Sequence, residues 1–169
     1  MKSRLQVLVG MVISGKSTYS ANAAKQYGYI ICNDDSILNA LHANQYTLYN
    51  KDLKILYKSV ENQILASCLM LKLPVILDDA KNVSAKRRSR FVSWCHSFDV
   101  LIEAIVFPNQ SPEVHAKRRF EHDSRGFTYE RWLEIAQYHQ SVYSEPTLEE
   151  GFDKVYNISY EDILNGRVF

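Results

Sequence analysis

The sequence predicts an α/β fold in which a parallel five-stranded sheet carries helices on both faces. Short apolar runs alternate with segments of helical period along the 169 residues. The runs at residues 5–9 and 100–107 are almost continuously apolar, which is typical of strands buried on both faces. Strands separated by helices require parallel crossover connections, so the pattern indicates a series of βαβ units.

Local signals predict the elements of the first half in order. A strand at residues 5–9 is followed by a helix at residues 16–26, which stops at Gly28, and by a second strand at residues 29–32. From Asp52 onward, apolar residues recur every three or four positions until Pro74, which predicts one long helix with a buried face. The apolar positions of this helix are Leu53, Leu56, Tyr57, Val60, Ile64, Cys68 and Leu71.

The second half continues the alternation. Three further strands are predicted, at Val75–Leu77, residues 100–107 and residues 154–158. Between them, helices are predicted at residues 84–96, from residue 112 onward and from residue 128 to about 143. Ser111 and Pro112 have the residue types of an N-cap and first helical position, and Thr128 is expected to cap the next helix. No repeat, low-complexity segment or linker divides the chain, so residues 1–169 are expected to form a single domain.

Composition and charge exclude several classes of protein. Twenty Lys and Arg residues against nineteen Asp and Glu residues leave a net charge of +1, so nucleic-acid or membrane binding would need a local patch. The first apolar run is too short for a signal peptide, and no run approaches the roughly 18 residues of a membrane span. We therefore expect a cytoplasmic protein without membrane contact. Cys32, Cys68 and Cys95 lack disulfide or zinc-site spacing and are expected to be reduced thiols in the core.

The strongest functional signal is the segment Gly10-Met11-Val12-Ile13-Ser14-Gly15-Lys16-Ser17, which fits the phosphate-binding pattern G-x-x-x-x-G-K-[ST]. Glycines let successive backbone N–H groups turn toward phosphates, and the following helix presents its positive end to them. The Lys16 ammonium is expected to reach the β- and γ-phosphates, and the Ser17 hydroxyl to bind Mg²⁺. The residues expected to hold the nucleotide here are Gly10, Ser14, Gly15, Lys16, Ser17 and Thr18. The motif predicts a P-loop NTPase.

A small ATP-dependent kinase fits the chain better than other P-loop classes. The GTPase motifs N-K-x-D and D-x-x-G do not occur at the positions that they would need, and the length leaves no room for accessory ATPase domains. Phosphoryl transfer to a hydroxyl also needs a carboxylate base, a metal-supporting acid and a cation on the γ-phosphate. The kinase-like fold is expected to include a small lid that supplies this cation.

Two pairs of carboxylates follow predicted strands, at the sheet edge where open α/β folds bind ligands. Asp34 and Asp35 follow strand two, and Asp34 is expected to be the general base, although one member of the pair is expected only to start a turn or helix. Asp78 and Asp79 end strand three, and Asp78 is expected beside Mg²⁺. Capping the following helix is the alternative role for this second pair.

The lid is expected at about residues 118–128, in the break between two predicted helices. Arg125 precedes Gly126 there, and an arginine delivered by lid closure would neutralise charge in the transition state. Arg119 lies earlier on the same segment and is expected to contact the nucleotide. Exposed surface positions are the alternative for both arginines.

In combination, these motifs resemble the 5'-kinase domain of polynucleotide kinases, found in a phage enzyme and in animal repair enzymes. The matching residues are Gly10 to Thr18, Asn33-Asp34-Asp35, Asp78-Asp79 with Asn82 and Arg87-Arg88, Arg125-Gly126, and Pro146 to Phe152 with its E-G-F ending. The resemblance implies ATP-dependent transfer to a 5'-hydroxyl, with Asp34 matching the general base and Arg125 the lid arginine. The phage enzyme has a second arginine shortly after its base, where this chain has Ser36-Ile37-Leu38.

The expected partner is a nucleic acid with a free 5'-hydroxyl. Lys81, Lys86, Arg87, Arg88 and Arg90 place five cations and no acid between residues 81 and 90, a pattern that would bind phosphates. A kinase of a small nucleoside or nucleotide, or of a hydroxylated base in DNA, is the alternative within the same class. A nucleotide-sensing module without turnover is the alternative of another class.

Overall fold

A computed structural model describes residues 3–123 and 125–169, with the backbone alone for Tyr46. Five parallel strands form one sheet in the order β2-β3-β1-β4-β5, which confirms the predicted architecture. The strands are β1 (Arg4–Val9), β2 (Ile30–Cys32), β3 (Val75–Leu77), β4 (Leu101–Val106) and β5 (Lys154–Asn157). Each lies within one or two residues of its predicted position.

Helices connect the strands on both faces of the sheet. The described residues form α1 (Lys16–Tyr27), α2 (Asp34–Leu41), α3 (Lys54–Met70), α4 (Ala85–Phe98), α5 (Pro112–Glu121), α6 (Tyr129–Val142) and α7 (Tyr160–Leu164). Short 3-10 turns lie at Tyr46–Leu48, Lys51–Leu53, Ala80–Val83 and Leu148–Glu150. None of the helices in this described part is long and apolar enough to cross a membrane.

Helix α7 is one of the elements that the sequence patterns did not predict. Five residues are too few to show a helical period, although its start carries a local signal. Ser159 Oγ accepts a hydrogen bond from the backbone N–H of Asp162, and the Asp162 carboxylate accepts one from the backbone N–H of Ser159. This reciprocal capping box would have marked the helix start.

The core lies on both sides of the sheet because side chains of a strand alternate between its faces. Leu5, Val7 and Val9 of β1 pack with Leu65 of α3 and with α4, whereas Leu8 packs with α1 and α7 on the opposite face. The cysteines Cys32, Cys68 and Cys95 are free and buried, as expected. A third apolar cluster joins Met11, Ala116, Trp132 and Ala136, and it packs α5 and α6 against the loop that follows β1.

Polar contacts join the carboxyl ends of the central strands. Asn33 Nδ2 donates to the backbone oxygen of Asp78 at 2.6 Å, which links the end of β2 to the end of β3. Asn82 Nδ2 donates to the backbone oxygens of Leu8 and Leu77, at 3.3 and 3.1 Å, which links β3 to β1. These two amides, of the partly buried Asn33 and the buried Asn82, hold together the sheet edge on which the candidate site is built.

Candidate active site

Two glycines allow the tight loop between β1 and α1. A Cβ atom at Gly10 would lie 2.5 Å from Ser14 Oγ and 2.8 Å from Phe107 Cβ, so only glycine fits there. Gly15 has φ of 101°, in the left-handed region that favours glycine. The motif spacing therefore corresponds to a loop in which neighbouring side chains leave no room for a Cβ atom at Gly10 and the backbone conformation favours glycine at Gly15.

Lys16 reaches back into this loop. Its Nζ donates to the backbone oxygens of Gly10 at 2.8 Å and Met11 at 2.6 Å, and lies 3.4 Å from the buried Ser14 Oγ. Burial lowers the pKa of Lys16 to about 8, against the opposing effect of Asp78 and Asp79. A bound phosphate would offer this ammonium anionic oxygens in place of neutral carbonyls.

Ser17 and Asp78 lie together at the start of α1, as their predicted role requires. Ser17 Oγ donates to Asp78 Oδ2 at 3.2 Å, and Ser20 Oγ donates to the same oxygen at 3.3 Å. Burial raises the pKa of Asp78, while Lys16 and the two hydroxyls oppose the shift. A hydroxyl and a carboxylate are the hard oxygen ligands that Mg²⁺ prefers, so the pair fits that ion. Thr18 is exposed on the same turn.

Asp34, at the first turn of α2, is held by a lysine that the sequence analysis did not assign to the site. Lys81 Nζ lies 2.5 Å from Asp34 Oδ2 and 3.9 Å from Asp79 Oδ2. Burial by itself would raise the pKa of Asp34, but Lys81 and Arg87 outweigh it, and the pKa lies below its ordinary value. The Asp34 carboxylate is therefore ionised at neutral pH and able to accept a proton.

Glu61 is a second residue that the sequence analysis missed. Carboxylate oxygens of Asp34, Glu61 and Asp79 lie within 4.8 Å of one another, and Arg87 Nη2 bridges Glu61 at 2.6 Å and Asp79 at 3.0 Å. Burial and the charge of Asp34 raise the pKa of both Glu61 and Asp79 to about 7. Glu61 lies four residues before the buried Leu65 and therefore on the same face of α3. A single acid among the buried apolar residues of that face is the sequence signal that could have identified Glu61.

The two arginines of the predicted lid contact the same aromatic ring. The guanidinium carbon of Arg119 lies 4.7 Å from the ring centroid of Trp132, and that of Arg125 lies 5.7 Å from it. Arg125 also forms an ion pair with Asp35. The Asp123 carboxylate accepts hydrogen bonds from the backbone N–H groups of Arg125 at 3.0 Å and Phe127 at 2.7 Å, which shapes the lid loop. Ser124 of the predicted lid lies outside the described residues.

These groups surround one central cleft of about 390 Å³. The predicted site residues that line it are Lys16, Ser17, Asp34, Asp35, Asp78, Asp79, Arg119 and Arg125. Gly10, Ser14, Gly15 and Thr18 belong to the loop and helix start beside it and do not line the cleft. The lining also includes Lys81, Trp132 and His139, which no sequence pattern placed in the site, and five further residues: Val12, Ile13, Asn33, Ala80 and Ile135.

The prediction that the five cations at residues 81–90 all lie on the surface is wrong for Arg88. Arg88 is fully buried, and it donates to Glu150 through Nε at 2.9 Å and Nη2 at 2.5 Å. Successive helical residues rotate by about 100°, so Arg87 and its neighbour Arg88 face different surroundings. The E-G-F segment is thus structural, because Glu150 holds Arg88 and Phe152 lies in the core.

Comparisons with known proteins identify the family and the fold of the chain. A family model described as an AAA domain matches residues 5–139. A protein from Chloroflexus aurantiacus, described only as a candidate kinase, has a similar structure with a TM-score of 0.68 and 15% identity, over 100% of this chain and 91% of that one. No curated protein is significantly similar in sequence.

Two structures with named activities are similar as well. A fungal RNA kinase has a TM-score of 0.61 and 16% identity, over 92% of this chain and 75% of that one. A gluconokinase from Sinorhizobium meliloti has a TM-score of 0.59 and 16% identity, over 97% of this chain and 91% of that one. At these identities the likeness establishes the fold, which kinases of different acceptors share.

Proposed function

The chain belongs to the AAA domain family, and on that premise we propose that it is a kinase that transfers the γ-phosphate of ATP to the 5'-hydroxyl of a polynucleotide. One observation carries the proposal. A phosphate-binding lysine, an ionised carboxylate and a lid arginine line the same cleft, as Lys16, Asp34 and Arg125. A module that only senses a nucleotide needs neither the carboxylate nor the arginine.

The donor side of the cleft is the loop before α1. Backbone N–H groups of the loop and the N-terminus of α1 would bind the phosphates, and Lys16 would exchange its carbonyl partners for phosphate oxygens. Ser17 and Asp78 would hold Mg²⁺, which neutralises charge on the β- and γ-phosphates when it is bound.

The acceptor side is the carboxylate on α2. Asp34 accepts the proton of the 5'-hydroxyl as that oxygen forms a bond to the γ-phosphorus, and the bond from phosphorus to the leaving ADP oxygen breaks. ADP leaves with the electron pair of that bond. Arg125 and Arg119 balance the charge on the transferred group from the lid side.

The polynucleotide acceptor is supported by the ordered resemblance of motifs and by the cations around Asp34. Lys81 contacts Asp34 directly, and Arg87 is linked to it through Asp79 and Glu61. A free sugar or nucleoside offers these cations no anionic group, whereas a phosphodiester beside the reacting hydroxyl does.

The test is a transfer assay with γ-labelled ATP and Mg²⁺ in which three acceptors are compared. They are a 5'-hydroxyl oligonucleotide, the same oligonucleotide with a 5'-phosphate, and a mixture of nucleosides. We expect label in the first alone. Label in the blocked oligonucleotide would indicate a hydroxyl on a base, label in nucleosides a small-molecule kinase, and no label would contradict the kinase proposal.

Variants connect the reaction to the proposed base. Asp34→Asn should abolish transfer and leave ATP binding nearly unchanged, because the substitution keeps the shape and removes the proton acceptor. Asp52→Asn, at an exposed position before α3, is the matched control and should transfer at the wild-type rate. Full activity of Asp34→Asn would disprove the assignment of the base.

A further inference from the structure

A second cavity of about 340 Å³ lies between the start of α4 and the end of α6, and we call it the α4–α6 pocket. Its lining consists of Lys81, Val83, Ser84, Lys86, Arg87, Arg90, Tyr138, His139 and Val142. Lys81 and His139 also line the central cleft, so the two cavities adjoin at these side chains. A ligand that occupies both would pass directly beside Asp34, the ion-pair partner of Lys81.

The charge of the α4–α6 pocket suits an anion. Four of its lining residues are Lys or Arg and none is Asp or Glu. Lys81 is paired with Asp34 and Arg87 with Asp79, two carboxylates of the central cleft, whereas Lys86 is exposed. Arg90 Nη2 lies 3.7 Å from Glu61 Oε2, and the Arg90 guanidinium carbon lies 4.7 Å from the ring centroid of Phe91.

Several buried N–H groups of the α4–α6 pocket lack an acceptor. Three guanidinium nitrogens among the described residues are buried without a hydrogen-bond partner, namely Nε and Nη2 of Arg90 and Nε of Arg87. His139 is 8% exposed, and its Nδ1 is also buried without a partner there. Buried polar groups in native proteins are nearly always hydrogen-bonded, so these nitrogens indicate a polar ligand. Phosphate oxygens form strong, forked hydrogen bonds with guanidinium groups.

An aromatic and apolar surface adjoins these cations. Tyr138 is 64% exposed, although it is one of the large hydrophobic residues of α6. Val83 and Val142 line the same pocket. A cationic wall beside an exposed aromatic ring is the arrangement with which proteins bind single-stranded nucleic acids, the cations at the phosphates and the ring against a base.

We propose that the α4–α6 pocket binds the nucleotide that follows the reacting 5' end, with the phosphodiester on the 3' side of that second nucleotide on Lys86 and Arg90 and its base on Tyr138. This inference rests on the proposed function and adds a requirement about length. An acceptor of one nucleotide fills the central cleft alone, whereas an acceptor of several nucleotides also fills the α4–α6 pocket. The enzyme should therefore bind short oligonucleotides more tightly than nucleoside monophosphates, and the gain should depend on this pocket.

The test uses the double variant Lys86→Gln/Tyr138→Ser, which changes two exposed side chains and keeps the ion pairs around Asp34 intact. The matched control is Lys25→Gln/Tyr27→Ser, which changes the same residue types at exposed positions of α1. KM and kcat are measured with a nucleoside 3'-monophosphate and a 5'-hydroxyl tetranucleotide. Anisotropy of a labelled tetranucleotide measures binding without turnover.

For the double variant we expect KM and Kd of the tetranucleotide to rise at least about tenfold, with kcat and the KM of the monophosphate unchanged. The slope of log KM against log salt concentration should fall by about one, the signature of one lost phosphate contact. The control should match the wild type. Equal tetranucleotide affinity in the double variant and the wild type would overturn the proposal, even if the wild type phosphorylates oligonucleotides.

The two proposals fail in different ways. If the wild type binds the tetranucleotide through Lys86 and Tyr138 but transfers no label to it, the pocket is supported and the proposed reaction is wrong. If the wild type transfers label equally well to the monophosphate and the tetranucleotide, the kinase is supported and the pocket is overturned.

Discussion

Arg125, in the predicted lid, forms an ion pair with Asp35 on the first turn of α2. Both residues line the central cleft, and Trp132 of α6 contacts the guanidinium. The ion pair thus places Arg125 over the cleft beside the proposed base, Asp34, before any substrate binds. An arriving γ-phosphate would compete with the carboxylate of Asp35 for the same guanidinium.

We predict that Arg125→Ala lowers kcat by about 10³-fold and changes ATP binding little, because the arginine acts on charge that develops in the transition state. Arg125→Lys should recover only part of the loss, since lysine keeps the charge and lacks the forked donors. Arg131→Ala, at an exposed position of α6, is the control. Steady-state kinetics check this prediction, and equal kcat values for the three variants would contradict it.

Asp78 should determine the Mg²⁺ concentration that the reaction requires. We predict that Asp78→Asn raises the Mg²⁺ concentration that gives half-maximal rate by about tenfold or more, because the ion loses an anionic ligand beside Ser17. A titration of the rate with Mg²⁺ at saturating ATP checks it. Asp52→Asn is the matched control, and coincident titration curves for Asp78→Asn and the wild type would exclude Asp78 from the metal site.

The buried pair of Arg88 and Glu150 should affect stability and not chemistry. We predict that Arg88→Met lowers the free energy of unfolding by roughly 3 kcal/mol, because it removes charged hydrogen bonds from a fully buried side chain. Arg131→Met breaks an exposed pair with Glu134 and should cost only about 0.5 kcal/mol. Urea unfolding measures both, and similar losses in the two variants would contradict the prediction.

His139 should make stability depend on pH. Burial lowers its folded-state pKa to about 4 from the ordinary 6.5, so the unfolded chain takes up the proton first as the pH falls. The neutral imidazole therefore contributes stability above pH 6.5 that is lost between about pH 6.5 and 4. Glu61 and Asp79, with pKa values raised to about 7, act in the opposite direction over that range.

The variant His139→Gln separates these opposing effects because glutamine does not titrate. Relative to this variant, the free energy of unfolding of the wild type should fall by on the order of 3 kcal/mol from pH 7 to pH 4. Urea unfolding at several pH values measures the difference. Parallel curves for the two proteins would mean that His139 is not held in its neutral form.

Much of the fold was predictable because its signals are local. The loop from Gly10 to Ser17 carries its own spacing, and the apolar runs and helical periods place each strand within one or two residues. The position of Asp34 and Asp78 in one cleft was predictable for a related reason, since the carboxyl ends of parallel strands meet at one edge of the sheet. Helix α7 was missed because five residues give no period.

The surroundings of Asp34 were decided only in three dimensions. The chain order identifies this carboxylate, but its neighbours come from separate elements. Lys81, from the turn after β3, pairs with Asp34 directly, Glu61 of α3 lies close to it, and Arg87 of α4 pairs with Glu61. No local pattern reports such contacts, because they depend on how separate elements pack. The charge run at residues 81–90 likewise predicted a cationic surface. Because side chains project in different directions around a helix, Arg88 of α4 is buried whereas Lys86 of the same helix is exposed. The sequence by itself thus determined the sheet and the phosphate loop, whose causes lie within a few neighbouring residues, and tertiary packing decided which charged groups meet around the proposed base.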